Sequence, residues 1–160
     1  MKAFRKQFSL AYFMLFILLN FGALGFGIYL MNGGPLSEWY TALNQAPWTP
    51  PNPTFGIAWS IIMVFFALFM EQLMRHKENS FDLWMLFGVQ WILNAGWNLI
   101  FFNLHQVFFG LLVLIVLLVF VLYLSILGYS QSKKLVLFNM PYLLWLLVAI
   151  SLNGYILLMN

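Results

Sequence analysis

Five apolar stretches, each long enough to cross a lipid bilayer, take up nearly the whole of this chain. They run from about Phe8 to Met31, Thr54 to Met74, Leu83 to Asn103, Val107 to Tyr129 and Val136 to Met159. At 1.5 Å per residue, about 20 residues cover the roughly 30 Å of hydrocarbon in a bilayer. Lipid offers backbone N–H and C=O groups no partners, so each stretch must satisfy its own as a helix. The expected fold is an all-α membrane protein, a five-transmembrane-helix bundle with residues 1–160 forming a single domain. The connections near Arg75 to Asp82, Leu104 to Gln106 and Ser130 to Lys134 are short, which predicts that consecutive helices are antiparallel neighbours. The first connection, Gly33 to Pro53, is long and rich in Trp and Pro. Within it Ser37 can cap a short helix through Leu43, Pro47 blocks its continuation, and Asn52 and Pro53 suit the start of the second span. The segment reads as an ordered lid over one mouth of the bundle.

The charged residues fix the expected orientation. All 7 Lys and Arg fall on one side: Lys2, Arg5 and Lys6 before the first span, Arg75 and Lys77 after the second, and Lys133 and Lys134 after the fourth. Basic loops stay cytoplasmic, so the N-terminus is expected inside, with Asn160 and the lid outside. The same placement accounts for the net charge of +3 without nucleic acid, which is excluded as a partner. With 64% hydrophobic and 7% charged residues, 160 positions cannot enclose their apolar side chains behind a water-facing shell. The first apolar run is too long for a signal-peptide core of roughly 7–15 residues and is expected to be a retained span. The absence of Cys removes disulfides and thiolate chemistry.

Polar and aromatic side chains inside the spans mark the faces that avoid lipid. Gln90, Asn94 and Asn98 recur every four residues and form one stripe, with Trp97 and Phe101 beside it. Asn94 is the expected pocket residue, one turn from Trp97; for Gln90 and Asn98, helix–helix hydrogen bonding and pocket lining both stay open. In the fifth span Tyr142, Trp145, Ala149 and Leu152 make a second stripe, with a small residue that leaves room for a flat ligand. Trp59 and Met63 lie one turn apart below the lid. The acidic residues are Glu38, Glu71, Glu78 and Asp82, with no evident catalytic pair. His76 and His105 belong to opposite faces and cannot share a metal, so no metal site is expected.

Read in order, Trp39-Tyr40, Pro47-Trp48-Thr49-Pro50-Pro51, Phe55 and Trp59, then Gln90, Leu93-Asn94, Trp97 and Phe101-Phe102, then Pro141-Tyr142, Trp145, Ala149 and Leu152-Asn153, resemble the pattern of the tryptophan-rich sensory protein / translocator protein family, also called peripheral-type benzodiazepine receptors. The resemblance implies a five-helix bundle, often a homodimer, in the inner membrane of a bacterium. It further implies a receptor or sensor that binds tetrapyrroles such as protoporphyrin IX and haem, or another flat hydrophobic molecule, sterol and drug-like ligands included, with no required cofactor. Its pocket would comprise Tyr40, Trp48, Trp59, Met63, Asn94, Trp97, Trp145 and Ala149, loaded from the outer face beneath the lid. One alternative is light- and oxygen-dependent porphyrin breakdown, for which Trp59 and Trp145 would be the catalytic residues; a third reading is transport of porphyrin or sterol. Two departures stand out. Tyr155 is not followed by Lys or Arg, so the sterol motif of animal members is absent from the last span. Small residues spaced by four, associated with pairing through the third span, are interrupted by Ile92 and Leu99, whereas Ala23 and Gly27 in the first span keep that spacing.

Overall fold

A computed structural model describes residues 8–76 and 80–160. Lys2, Arg5, Lys6, Lys77 and Glu78 lie outside the described residues. The elements are α1 (Leu10–Leu30), a 3₁₀ turn (Gly34–Leu36), α2 (Glu38–Ala42), α3 (Asn52–His76), α4 (Ser80–Asn98), a π-helical turn (Leu99–Asn103), α5 (Val107–Gln131) and α6 (Leu135–Met159). There is no strand among the described residues, and 5 of the helices are long and apolar enough to span a bilayer. Their ends fall close to the expected boundaries. Helix α1 starts where Ser9 Oγ accepts from Tyr12 N, and α3 begins at Asn52, so Asn52 and Pro53 both sit in its first turn.

The long helices are apolar around their whole circumference because they meet protein on one side and hydrocarbon on the other. Leu18, Ile57, Ile92, Ile126 and Leu147 project outward with more than half of their surface exposed, an arrangement that lipid tolerates and water does not. Around the bundle the order is α1, α3, α6, α5, α4 and back to α1. Consecutive spans are therefore neighbours with one exception. Helices α3 and α4, although joined by a short connection, face each other across the bundle axis, where Phe66 and Phe87 stack with centroids 6.2 Å apart. Helix α1 occupies the position beside both.

Away from the lid the interior is solid. Phe16, Phe66, Phe69, Met70, Leu117, Leu124, Tyr142 and Leu146 are fully buried there. Side-chain amides and indoles tie the helices through backbone carbonyls that a helix leaves accessible. Asn20 Nδ2 donates to Met63 O at 3.0 Å, Trp91 Nε1 to Leu19 O at 2.8 Å, and Asn139 Nδ2 to Val121 O at 3.2 Å. At the end remote from the lid, buried Glu71 accepts from Ser9 N at 2.8 Å and pairs with Arg75 Nε at 2.7 Å, pinning the start of α1 to α3.

At the other end the chain leaves α1 through Asn32, Gly33 and Gly34, with φ of 45°, 90° and 51°. Three successive left-handed residues fold the lid back over the bundle, and two of them are glycines, which take that conformation without strain. Ser37 Oγ then accepts from Tyr40 N and starts α2, the short helix expected from the sequence. The second half of the lid is tied to α6. Asn44 N donates to Asn160 Oδ1 at 2.9 Å, Asn44 Nδ2 to Met159 O at 3.0 Å, and Trp48 Nε1 to Ser151 Oγ at 3.2 Å.

Candidate functional site

Between the solid half and the lid, the helices enclose a cavity of about 350 Å³. Every long helix contributes to its wall. Leu24 and Ile28 come from α1, Phe55, Gly56, Trp59 and Ser60 from α3, Trp97 and Asn98 from α4, Leu114 from α5, and Trp145, Ala149, Leu152, Asn153 and Ile156 from α6. Tyr40 of the lid helix and Phe101 and Phe102 of the π turn close the top. None of the described lining residues is Lys, Arg, His, Asp or Glu. The site is an aromatic chamber with a few neutral polar groups, the composition expected for a mostly apolar ligand.

Local structure explains how these rings converge. On α6, Trp145, Ala149, Leu152 and Ile156 repeat at helical spacing, and Ala149 supplies the gap between large side chains. Rings of α3 and α6 interlock, with Phe55 edge-on to Trp145 at 5.6 Å and Trp59 edge-on to Tyr142 at 5.9 Å. Tyr142 thus forms the layer beneath the cavity, where Gln90 Nε2 donates to its hydroxyl at 2.7 Å. The π turn brings two consecutive rings inward: Phe101 and Phe102 are both buried, which an ordinary α-turn, rotating about 100° per residue, makes harder. Phe101 stacks on Trp97 at 5.1 Å, and Tyr40 packs against Phe102 at 5.3 Å. Burial raises the Tyr40 phenol above its ordinary range, keeping it a neutral donor or acceptor.

Two asparagines hold the wall. Asn153 is buried; its Oδ1 accepts from Trp97 Nε1 at 3.4 Å and its Nδ2 donates to Val107 O at 3.0 Å, fixing the Trp97 indole between α6 and the start of α5. Asn98 back-bonds to Asn94 O and Ala95 O at 3.3 and 3.5 Å, facing the α1 backbone at Gly27. The mouth lies between α1 and α3. Ile28, Asn52 and Gly56 line the cavity yet are themselves exposed, and open space lies beyond Gly56 where a side chain would begin. The opening therefore faces sideways toward lipid, while the lid is bolted to α6 on one side and to the π turn on the other.

The residues named from the sequence separate into two groups. Tyr40, Trp59, Trp97, Trp145 and Ala149 share the cavity wall. Trp48, Met63 and Asn94 do not. Trp48 lies on the outside of the lid, 55% exposed and edge-on to Tyr155; Met63 is packed in the solid core; Asn94 is buried away from the chamber. Of the polar stripe on α4 it is Asn98, one turn nearer the lid, that reaches the cavity. Asn52, Phe101, Phe102 and Asn153 complete the lining. Phe101, Phe102 and Asn153 belong to the family-like pattern of the sequence, but nothing in their spacing distinguishes lining from packing. His105 sits outside the chamber, so it offers no axial ligand to an iron inside it.

Comparison with known proteins agrees with this architecture. Residues 13–159 match the TspO/MBR family. The chain is 31% identical over 142 residues to the tryptophan-rich protein TspO of Chlorobaculum tepidum, covering 86% of this chain and 89% of that one. It is 35% identical over 118 residues to the protein CrtK of Rhodobacter capsulatus, covering 72% and 74%. It is 28% identical over 116 residues to the tryptophan-rich sensory protein of Cereibacter sphaeroides, covering 72% and 73%.

Proposed function

The chain belongs to the TspO/MBR family of integral membrane proteins, and from that premise we propose that it is a receptor for tetrapyrroles such as protoporphyrin IX and haem, taken into the cavity under the lid. The carrying observation is the chamber itself: Trp59, Trp97, Trp145, Tyr40, Phe55, Phe101 and Phe102 from five separate elements around one uncharged space. Flat π-surfaces gain about 0.5–1.5 kcal/mol per aromatic pair beyond area burial, so several rings on one macrocycle suffice for tight binding. With no cation among the described lining residues, the ligand's carboxylates stay at the mouth, where Asn52 and Ser60 offer neutral hydrogen bonds and water is near. The cavity lies at the lower end of the roughly 300–1,000 Å³ typical of ligand sites. A macrocycle accordingly enters edge first, and α1 and α3 part to admit it. The sideways mouth supports loading from the lipid phase, and the distribution of basic residues supports an extracytoplasmic lid in a bacterial inner membrane.

Titration of the purified protein with protoporphyrin IX tests this reading. Binding at Trp59, Trp97 and Trp145 quenches tryptophan fluorescence saturably, and Ala149→Phe, which fills the chamber, abolishes the saturable part. Equal quenching by both proteins would place the ligand elsewhere.

A further inference from the structure

We propose that His105 is a positioning residue that holds the lid closed over the cavity, and that it does so more firmly when the lid face is acidic. His105 lies outside the chamber and contributes nothing to its wall, yet its imidazole lies flat on the Trp39 indole, with centroids 4.2 Å apart and planes 11° from parallel. Trp39 belongs to α2, the lid helix, and packs edge-on against Phe101 at 5.5 Å. Phe101 in turn stacks on Trp97 at 5.1 Å and 11°. An unbroken run of four rings thus leads from the lid face to the cavity wall, with His105 at its outer end and Trp97, fixed by Asn153, at its inner end.

The backbone shows that this placement carries a cost. His105 has φ of 56°, one of only two non-glycine residues with positive φ among those described. Left-handed backbone is disfavoured for most side chains, though His, Asn and Asp tolerate it better than others. The turn is closed by Gln106 N donating to Ile100 O at 2.9 Å directly after the π turn. It lays one face of the imidazole on the Trp39 indole while the residue stays exposed at the surface.

Protonation gives an imidazole a positive charge. Over an indole face the neutral ring stacks as an aromatic, and the protonated ring adds a cation–π attraction. The lid is therefore held more tightly in acid. The titratable groups on the elements packed here are few. Helix α2 brings Glu38, exposed, and Tyr40, buried; the π turn and the first turn of α5 bring none; α6 brings Tyr155 near its end, against Trp48. Glu38 is the acidic group on the same short helix as Trp39, so its contribution needs separation by substitution.

The test is amide hydrogen exchange across residues 37–46 of the ligand-free protein in lipid nanodiscs, corrected for intrinsic rates, between pH 5.5 and 8. Lid opening is expected to become about two- to fivefold rarer at the acid end. His105→Asn keeps a residue that tolerates the left-handed turn but removes the ring and charge, and should flatten the pH profile; Glu38→Gln should keep it. A wild-type profile in His105→Asn, or a flat one in Glu38→Gln alone, would overturn the proposal. The inference rests on the cavity being a ligand site only for its purpose. If the lid responds as stated and protoporphyrin IX shows no saturable binding at any pH, the receptor reading fails and the His105 latch stands.

Discussion

Gly27→Ala is the most discriminating single perturbation, because stability and binding should respond to it differently. A methyl group at Gly27 would lie 2.7 Å from Asn98 Nδ2, whereas the nearest backbone atom, Ala95 Cα, is 3.9 Å away. Only the far end of one side chain has to move. Its attachments are weak: two long back-bonds of 3.3 and 3.5 Å to its own helix, each contributing roughly 0.6 kcal/mol in a membrane interior. Losing both costs about 1.2 kcal/mol, and replacing Gly by Ala in a helix returns about 1 kcal/mol. The net change in stability is then under about 0.5 kcal/mol. The displaced amide, however, swings into the chamber whose wall it already forms, and the loss of one aromatic contact lowers porphyrin affinity about fivefold. Thermal unfolding in detergent, with a fluorescence titration on the same samples, measures both. In an Asn98→Ala background the clash is gone, so Gly27→Ala should stabilise by about 1 kcal/mol and leave affinity unchanged. Strict additivity of the two substitutions would refute the reasoning, as would a loss of several kcal/mol in Gly27→Ala alone.

Other outcomes follow from the same geometry. Trp59→Phe and Trp145→Phe keep an apolar ring but lose indole surface, and each should weaken protoporphyrin IX binding by about 1 kcal/mol in the titration. If bound porphyrin is also degraded in light, these two substitutions should slow the spectral conversion far more than they weaken binding; wild-type conversion in both would remove these residues from any catalytic role. Glu71→Gln leaves Arg75 without its buried carboxylate, at a cost of about 2 kcal/mol, less than for a fully buried pair because Arg75 is partly exposed; an unchanged unfolding midpoint would show that the pair is not formed. The chain has no Cys, so a single cysteine introduced at Asn160 can be probed with an impermeant maleimide on intact cells. Labelling is expected, and protection would place the lid on the cytoplasmic side.

What the sequence determined by itself was everything with a local cause. Span length and position follow from uninterrupted apolar runs, because a helix in lipid satisfies its backbone within the segment whatever its neighbours do. The lid helix follows from the Ser37 cap, and the convergence of Trp59, Trp97 and Trp145 from helical spacing together with the family pattern. Tertiary structure decided what depends on which helices meet and at what depth. Short connections suggest that α3 and α4 are adjacent, yet α1 lies beside both and they face each other across the axis. Asn94 and Asn98 share one stripe and are indistinguishable by period. Only the boundary between solid core and hollow, set by where Phe66, Phe87 and Tyr142 fill the axis, buries the first and opens the second to the cavity. The π turn that brings Phe101 and Phe102 inward together, and the left-handed His105 that follows it, carry no periodic signature. Both arise from fitting the end of α4 against the lid and α1, where Asn103 Nδ2 donates to Leu30 O at 3.0 Å, a contact between residues far apart in the chain that no local pattern encodes.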